Sequence, residues 1–345
     1  MNNTDNTWGL NLLNILGCRR LHTALEVRRK SKLLSANPIN NYTTNTNSLN
    51  PYYVTGFCDG EACFTVNFNK NDLVRTGWNV KLSFSIHLNV RDLDLLESIK
   101  TFFGVGNTQI NKDGSITYSV TGLKDLINVI IPHFDKYPLL TQKQIDFELF
   151  KQLSILMENK EHLTTEGLHK ILSIKAVMNT GFTDRLMAVF PEIVPALRPK
   201  AKQSLTQENI NPNWLAGFVD AEGSFFVSIY KSETTTGYAV KLTFSISQNS
   251  RDTELLNSCV KFLNCGRVRQ KSIKTAVELL VTKFSDIENQ IIPVFGKYPL
   301  IGTKKRDYED FCKIALLMKH KAHLTKEGVE EIRHINSGMN RRRTK

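Results

Sequence analysis

The chain has 345 residues and carries 45 Lys and Arg against 33 Asp and Glu, a formal net charge of +12. That excess favours a polyanionic partner through counterion release, with an inert basic surface as the alternative. No apolar run reaches the roughly 18 residues of a membrane span, so no membrane partner is expected, and no GxxxxGK[ST] loop offers a nucleotide-phosphate cradle. At 41% hydrophobic residues the chain has the apolar content and length for two domains of ordinary size. Six cysteines (Cys18, Cys58, Cys63, Cys259, Cys265, Cys312) form no CxxC pair and read as reduced thiols rather than a zinc site.

Residues 1–48 are Leu- and Asn-rich, then basic at Arg19-Arg20 and Arg28-Arg29-Lys30, then an Asn/Thr tract. They read as an N-terminal extension, either an amphipathic transit peptide or an exon- or intron-derived extension of the reading frame. Next comes a helix ending Val54-Thr55-Gly56-Phe57-Cys58-Asp59-Gly60-Glu61-Ala62. Gly56 and Gly60 are four apart, which leaves one helical face nearly flat and lets a second backbone approach. Glu61 falls at the C-terminus, where the helix dipole already disfavours negative charge. Asp59 lies roughly 200° around the helix from Glu61 and is assigned to structural hydrogen bonding, as is Asp220 beside Glu222.

Phe64, Val66 and Phe68 then alternate with Thr65, Asn67 and Asn69, the pattern of a half-buried strand. After a turn at Asn71-Asp72, Val80, Leu82, Phe84 and Ile86 alternate with Lys81, Ser83, Ser85 and His87 in a second strand. A helix from Asp92 to Phe102, a strand pair at about Val105 to Lys112 and Ser115 to Thr121, and helices at Leu123 to Phe134, Thr141 to Glu158 and Thr165 to Asn179 complete the unit. Thr164 and Thr325 read as N-caps, which makes the nearby His162 and His323 helix-end packing rather than metal ligands. A stretch over residues 183–208, with Pro191, Pro195, Pro199 and the basic run Arg198 to Lys202, reads as a linker.

The pattern then starts again. Leu215-Ala216-Gly217-Phe218-Val219-Asp220-Ala221-Glu222-Gly223 repeats the helix ending, with Glu222 standing 161 residues after Glu61. Val80 to Ile86 returns as Val240 to Ile246, Ile130 to Leu139 as Ile291 to Leu300, His162-Leu163-Thr164 as His323-Leu324-Thr325, and Met178-Asn179 as Met339-Asn340. This is an internal duplication, dividing the chain into an extension (1–48), a first repeat (49–182), the linker (183–208) and a second repeat (209–345).

The two helix endings resemble the paired motifs of the LAGLIDADG homing endonucleases, in the form in which one chain carries both copies. The first copy departs from the pattern at Val54-Thr55 and at Ala62, where the closing Gly is expected. The resemblance implies an α+β fold of two pseudo-symmetric αββαββα repeats, each an antiparallel four-stranded sheet backed by helices, with the motif helices packed at the repeat interface. It also implies that Glu61 and Glu222 bind the divalent cation, Mg²⁺ with Mn²⁺ as a substitute, and that the backbone carbonyls of Ala62 and Gly223 are candidate additional ligands. A basic residue is implied near each Glu; Lys143 and Lys304, 161 residues apart and each following a Pro-Leu pair, fill that place. A solvated helix face is their alternative reading. Gln248 resembles a water-positioning residue of the family, and its counterpart is Leu88.

The activity so implied is site-specific double-strand DNA cleavage by a monomer at a long, non-palindromic site, encoded in a fungal mitochondrial intron. An Asn-, Ile- and Lys-rich composition suits such an AT-rich genome. DNA contacts are expected from the polar strand faces: Thr65, Asn67, Asn69, Lys81, Ser83, Ser85, His87, Asn107, Gln109 and Asn111 in the first repeat. In the second they are Ser224, Ser228, Tyr230, Lys241, Thr243, Ser245, Ser247, Arg267, Arg269 and Lys271. The amide row at 107–111 against the Arg/Lys row at 267–271 predicts guanine contacts concentrated in the second half-site, with phosphate contacts by those basic residues as the competing reading. The competing readings are an intron-splicing maturase that binds RNA, and a DNA-binding relative that no longer cuts.

Overall fold

Asn50 and Asn211 each cap a helix, their side-chain oxygens accepting from the backbone N–H two residues on, with Pro at the first helical position. These helices, α1 (Pro51–Glu61) and α7 (Pro212–Glu222), are buried along most of their length and pack on one another. The computed structural model describes residues 48–179, 181–200, 210–272 and 275–340, and the chain from Ser48 onward forms one compact unit. The expected N-terminal extension, Cys18 included, lies almost wholly outside the described residues.

Each motif helix leads directly into a sheet. In the first repeat the elements are β1 (Ala62–Lys70), β2 (Trp78–Asn89), α2 (Leu93–Phe103), β3 (Asn107–Ile110) and β4 (Ser115–Val120). Then come α3, an α turn (Leu123–Asp125) running through a π segment (Leu126–Ile130) into Ile131–Lys136, followed by α4 (Lys143–Glu158) and α5 (Thr165–Lys175). The second repeat has β5 (Gly223–Lys231), β6 (Tyr238–Asn249), α8 (Thr253–Leu263), β7 (Arg267–Gln270) and β8 (Ala276–Val281). Its α9 has the same three-part form, ending in Ile292–Lys297, and is followed by α10 (Lys304–Lys319) and α11 (Lys326–Ser337). The sheets run β1-β2-β4-β3 and β5-β6-β8-β7, antiparallel throughout.

The helices cover one face of each sheet, and there the duplication is visible in the cores. Phe64 has ring centroids of Phe84, Phe134, Phe147 and Phe150 within 5.3–5.4 Å. Phe225 is surrounded likewise by Phe244, Phe295, Tyr308 and Phe311 at 5.3–5.9 Å. The recurring Met-Asn pair closes each unit. Asn179 and Asn340 take left-handed backbone (φ 51° and 57°), which Asn tolerates, and donate their side-chain amides to the carbonyls of Phe64 and Phe225 at 2.8 and 3.1 Å. Thr164 and Thr325 accept from the N–H groups of Gly167 and Gly328, so both are N-caps.

The connecting stretch is more ordered than its composition suggests. It holds a short helix, α6 (Asp184–Val189), capped by Thr183, and Phe190 packs on Trp78. Arg198 pairs with the buried Asp146 at 3.0 Å and donates to the Val177 carbonyl. The described part of the linker is therefore fastened to the first repeat. Two expected helices are shorter than their sequence pattern: Thr141 lies outside α4 because its N–H and hydroxyl both go to Asp59, and α5 ends at Lys175.

Candidate metal centre and nucleic-acid interface

Close approach of α1 and α7 is set by their glycines. A Cβ at Gly56 would stand 1.9 Å from the Trp214 carbonyl oxygen, and one at Gly217 would stand 2.0 Å from that of Tyr53. One at Gly60 would meet Ala221 Cβ at 2.3 Å and Glu222 Cγ at 3.0 Å. The carboxylate-bearing end of α7 thus lies against the residue before Glu61, and the two acids share one site. Ala62 and Gly223 have matching extended backbones (φ −79° and −77°), so the missing glycine of the first copy is not required by conformation.

Burial pushes the Glu61 carboxyl above its ordinary value, the Glu222 charge pushes it further, and Lys304 and Lys143 oppose the rise. Glu222 is raised by burial too, against Lys304, Lys143 and a hydrogen bond from Gln248. Two partly buried acids at two helix C-termini make a concentrated negative potential. Each lysine fits into that potential by binding helix-end carbonyls: Lys143 Nζ donates to Cys58 and Gly60 oxygens at 2.8 and 3.1 Å, Lys304 Nζ to Val219 and Ala221 at 3.1 and 2.9 Å. Burial lowers both lysines, and the surrounding acids raise them. They are helix-end donors within the acidic centre, not solvated surface charges.

Asp59 and Asp220 hold the lysine-bearing helices. Asp59 accepts from the N–H groups of Leu140 and Thr141 (2.8 and 3.1 Å), from the Thr141 hydroxyl (2.6 Å) and, across the repeat interface, from the Trp214 indole at 2.7 Å. Asp220 accepts from Ile301 and Gly302 N–H and from the hydroxyl of Tyr53, the counterpart of Trp214. A second cross-tie lies one residue before each lysine. Asp252 accepts from Gln142 N–H at 2.8 Å, and Asp92 from Thr303 N–H and hydroxyl at 3.2 and 2.6 Å. The start of each lysine helix is therefore held by both repeats, a tie that sequence pattern could not show because its partners are 110 and 211 residues apart.

A cleft beside Glu61 is lined by Leu88, Arg91, Asp92, Lys304 and Arg306. Leu88 gives that side no hydrogen-bonding group, whereas Gln248 provides one beside Glu222. Among the described residues no three His, Cys, Asp or Glu side chains gather as a metal cluster. His162 and His323 each keep a buried Nδ1 without a hydrogen-bond partner and lie apart from the acidic pair in 3-10 turns.

The face of each sheet turned away from the helices carries the expected polar rows. Strand pairing aligns Asn67 with Lys81, Thr65 with Ser83, Ser85 with Ser119 and His87 with Thr117, with Asn69 and Asn107 on the same face. Gln109 pairs with Thr117, and Asn111, just past β3, donates to Ser115 and Thr117 hydroxyls. In the second sheet Ser224, Ser228, Tyr230, Lys241, Thr243, Ser247, Arg267 and Arg269 share that face, with Lys271 just beyond β7. Ser245 shares that face too, opposite Leu280, and is 8% exposed.

Three residues of this face escaped the sequence reading. Phe226 is 47% exposed between Ser224 and Ser228, and Glu278 and Leu280 occupy the outward positions of β8. The signal of Glu278 and Leu280 was hidden, since Val277 to Val281 reads as a nearly continuous apolar run.

These features define a duplicated, single-chain α+β protein with one acidic centre between two outward-facing polar sheets. The model of the LAGLIDADG endonuclease family matches residues 54–154 and again residues 215–315, and the chain belongs to that family. It is similar to "Probable intron-encoded endonuclease 2" of Neurospora crassa, 40% identical over 301 residues, which are 84% of this chain and 65% of that protein. The chain spans 65% of that relative's length, and 53% of the length of a second Neurospora crassa relative, "Probable intron-encoded endonuclease 3", to which it is 40% identical over 288 residues. Its fold is that of the I-SmaMI LAGLIDADG homing endonuclease bound to cleaved DNA (44% identity, TM-score 0.83, covering 86% of this chain and 99% of that one). I-SmaMI bound to uncleaved DNA target in the presence of calcium ions matches similarly (44% identity, TM-score 0.82, 85% and 99%).

Proposed function

We propose that this chain is a monomeric, site-specific double-strand DNA endonuclease acting at the intronless copy of its host site, encoded and active in a mitochondrion. The observation that carries the reading is the pairing of Glu61 and Glu222 at two abutting helix ends, flanked by two polar sheets in one chain. The donor set is all oxygen, which suits a hard cation such as Mg²⁺, with Mn²⁺ able to replace it. Glu61 and Glu222 would hold it, with the Ala62 and Gly223 carbonyls as further candidates. When bound, the cation supplies an activated water and charge stabilisation at the phosphate.

The chain's own groups supply the rest. Lys143 and Lys304 set positive charge beside the acids and offset the charge that builds on the phosphate. Gln248 orients water on the Glu222 side, and Leu88 leaves the other side without that help. The sheets lie along the major groove. Arg267, Arg269 and Lys271 read guanine O6 and N7 in one half-site, and Asn107 and Gln109 read adenine N6 and N7 in the other. Asn111 spends its amide protons on Ser115 and Thr117, which leaves its oxygen to accept from a base.

Cleavage of a plasmid carrying the joined exon sequence that flanks the reading frame tests this. One double-strand cut in Mg²⁺, abolished by a chelator, is expected. Binding to the intron RNA without DNA cleavage would support the maturase reading instead.

A further inference from the structure

Glu278 is an anomaly on a surface meant for DNA. It sits at the centre of the outward face of β8, 8% exposed, where a carboxylate weakens attraction to phosphates. Its partners explain its presence. Arg269 Nε donates to Glu278 Oε2 at 2.9 Å, and Arg269 Nη2 stands 2.8 Å from the same oxygen. Lys271 Nζ lies 3.9 Å from Oε1 and donates to Ser247 Oγ at 3.0 Å. The arginine side chain nevertheless remains 54% exposed and the lysine 41%.

The first sheet has the same node in neutral form. Thr117 occupies the position of Glu278, opposite Gln109 where Glu278 is opposite Arg269. Its hydroxyl accepts from Asn111 Nδ2 at 3.0 Å and lies 2.9 Å from His87 Nδ1. Both repeats thus use the mid-strand residue to hold the side chains around it, and only the half with basic readers uses a charge.

We propose that Glu278 is a specificity-determining positioning residue, which holds Arg269 along its Nε edge so that the guanidinium meets a guanine with its Nη1–Nη2 edge. A guanidinium gripped on one edge by a carboxylate still offers two parallel N–H groups on another, the geometry that O6 and N7 require. The carboxylate also cancels one of the two basic charges, which shifts the cluster from indiscriminate phosphate binding towards base reading. This inference rests on the reading of Arg269 as a base contact.

The test is competition binding of the full chain, in Ca²⁺ and at several salt concentrations, to a target panel with each base pair replaced in turn. R269A should lose discrimination at one guanine position. E278Q, which keeps the shape of Glu278 without its charge, should lose about tenfold discrimination at that same position, bind unrelated DNA more tightly and show a steeper salt dependence. The double variant should be no less selective there than R269A alone, because the two residues act as one unit. E278D, which retains the charge, should restore part of the loss and guards against a folding defect in E278Q. If R269A loses the guanine preference while E278Q keeps it, or if E278D and E278Q lose it equally, Glu278 has no positioning role. If R269A weakens all sequences alike, the base-contact reading of Arg269 fails first.

Discussion

Replacing Gly217 by Ala should be among the most damaging single-methyl additions in the chain. The new Cβ would stand 2.0 Å from the Tyr53 carbonyl oxygen and 2.8 Å from the Phe57 nitrogen, both backbone atoms. Ordinary contact begins near 3.4 Å, so α1 and α7 would have to separate by roughly 1.4 Å, and no rotamer change can relieve the overlap. Overpacking costs about 1–3 kcal/mol, and a clash with backbone belongs at the upper end. Gly296, inside the helical segment Ile292–Lys297, supplies the control. Its added Cβ would find only the Tyr308 hydroxyl, at 3.6 Å, so Gly296→Ala should be neutral or stabilising by about 0.5–1 kcal/mol. Urea unfolding midpoints at constant slope measure both changes. A Gly217→Ala variant within about 0.5 kcal/mol of the parent, or equal losses for both variants, would refute the close-approach account.

His133 gives a pH signature. Burial among Phe102, Phe103, Phe134 and Tyr137 holds its imidazole down at about 4, against an ordinary value near 6.5. The unfolded chain therefore binds the extra proton first, and stability should fall as pH drops from 6.5 towards 4, by about 2 kcal/mol between pH 7 and 5. His133→Val, copying Val294 of the second repeat, should flatten that slope; an unchanged slope in denaturant titrations would place the proton elsewhere. Gln248→Leu, which gives both sides the same apolar residue, should slow cutting of the strand processed on the Glu222 side. Single-strand nicking rates on end-labelled target would show it, and a uniform effect on both strands would remove Gln248 from water positioning.

Much of this architecture is legible in the sequence because duplication prints each constraint twice. Gly56 and Gly217 recur and each admits the partner helix backbone, and Asn179 and Asn340 recur and each donates to the carbonyl of Phe64 or Phe225. What the sequence hides falls into two kinds. Cross-repeat ties such as Asp92 to Thr303 join groups with no local signature, so only the folded chain brings them together. Outward residues that break the polar alternation are masked as well. Phe226 and Leu280 read as core, and Glu278 reads as an interruption in an apolar strand, although pairing register puts all three on the exposed face. The linker helix escaped for a compositional reason, since Pro191, Pro195 and Pro199 follow it closely and suggest an extended segment throughout.

The claim that one acidic centre performs the cutting is tested most directly by Glu61→Gln and Glu222→Gln, assayed for double-strand cleavage in Mg²⁺ and for target affinity in Ca²⁺. Each variant keeps the helix end and both polar sheets while removing one of the two charges that would hold the cation. Loss of double-strand cleavage with affinity close to that of the parent is the predicted result. Cleavage at the parental rate by either variant would contradict the account.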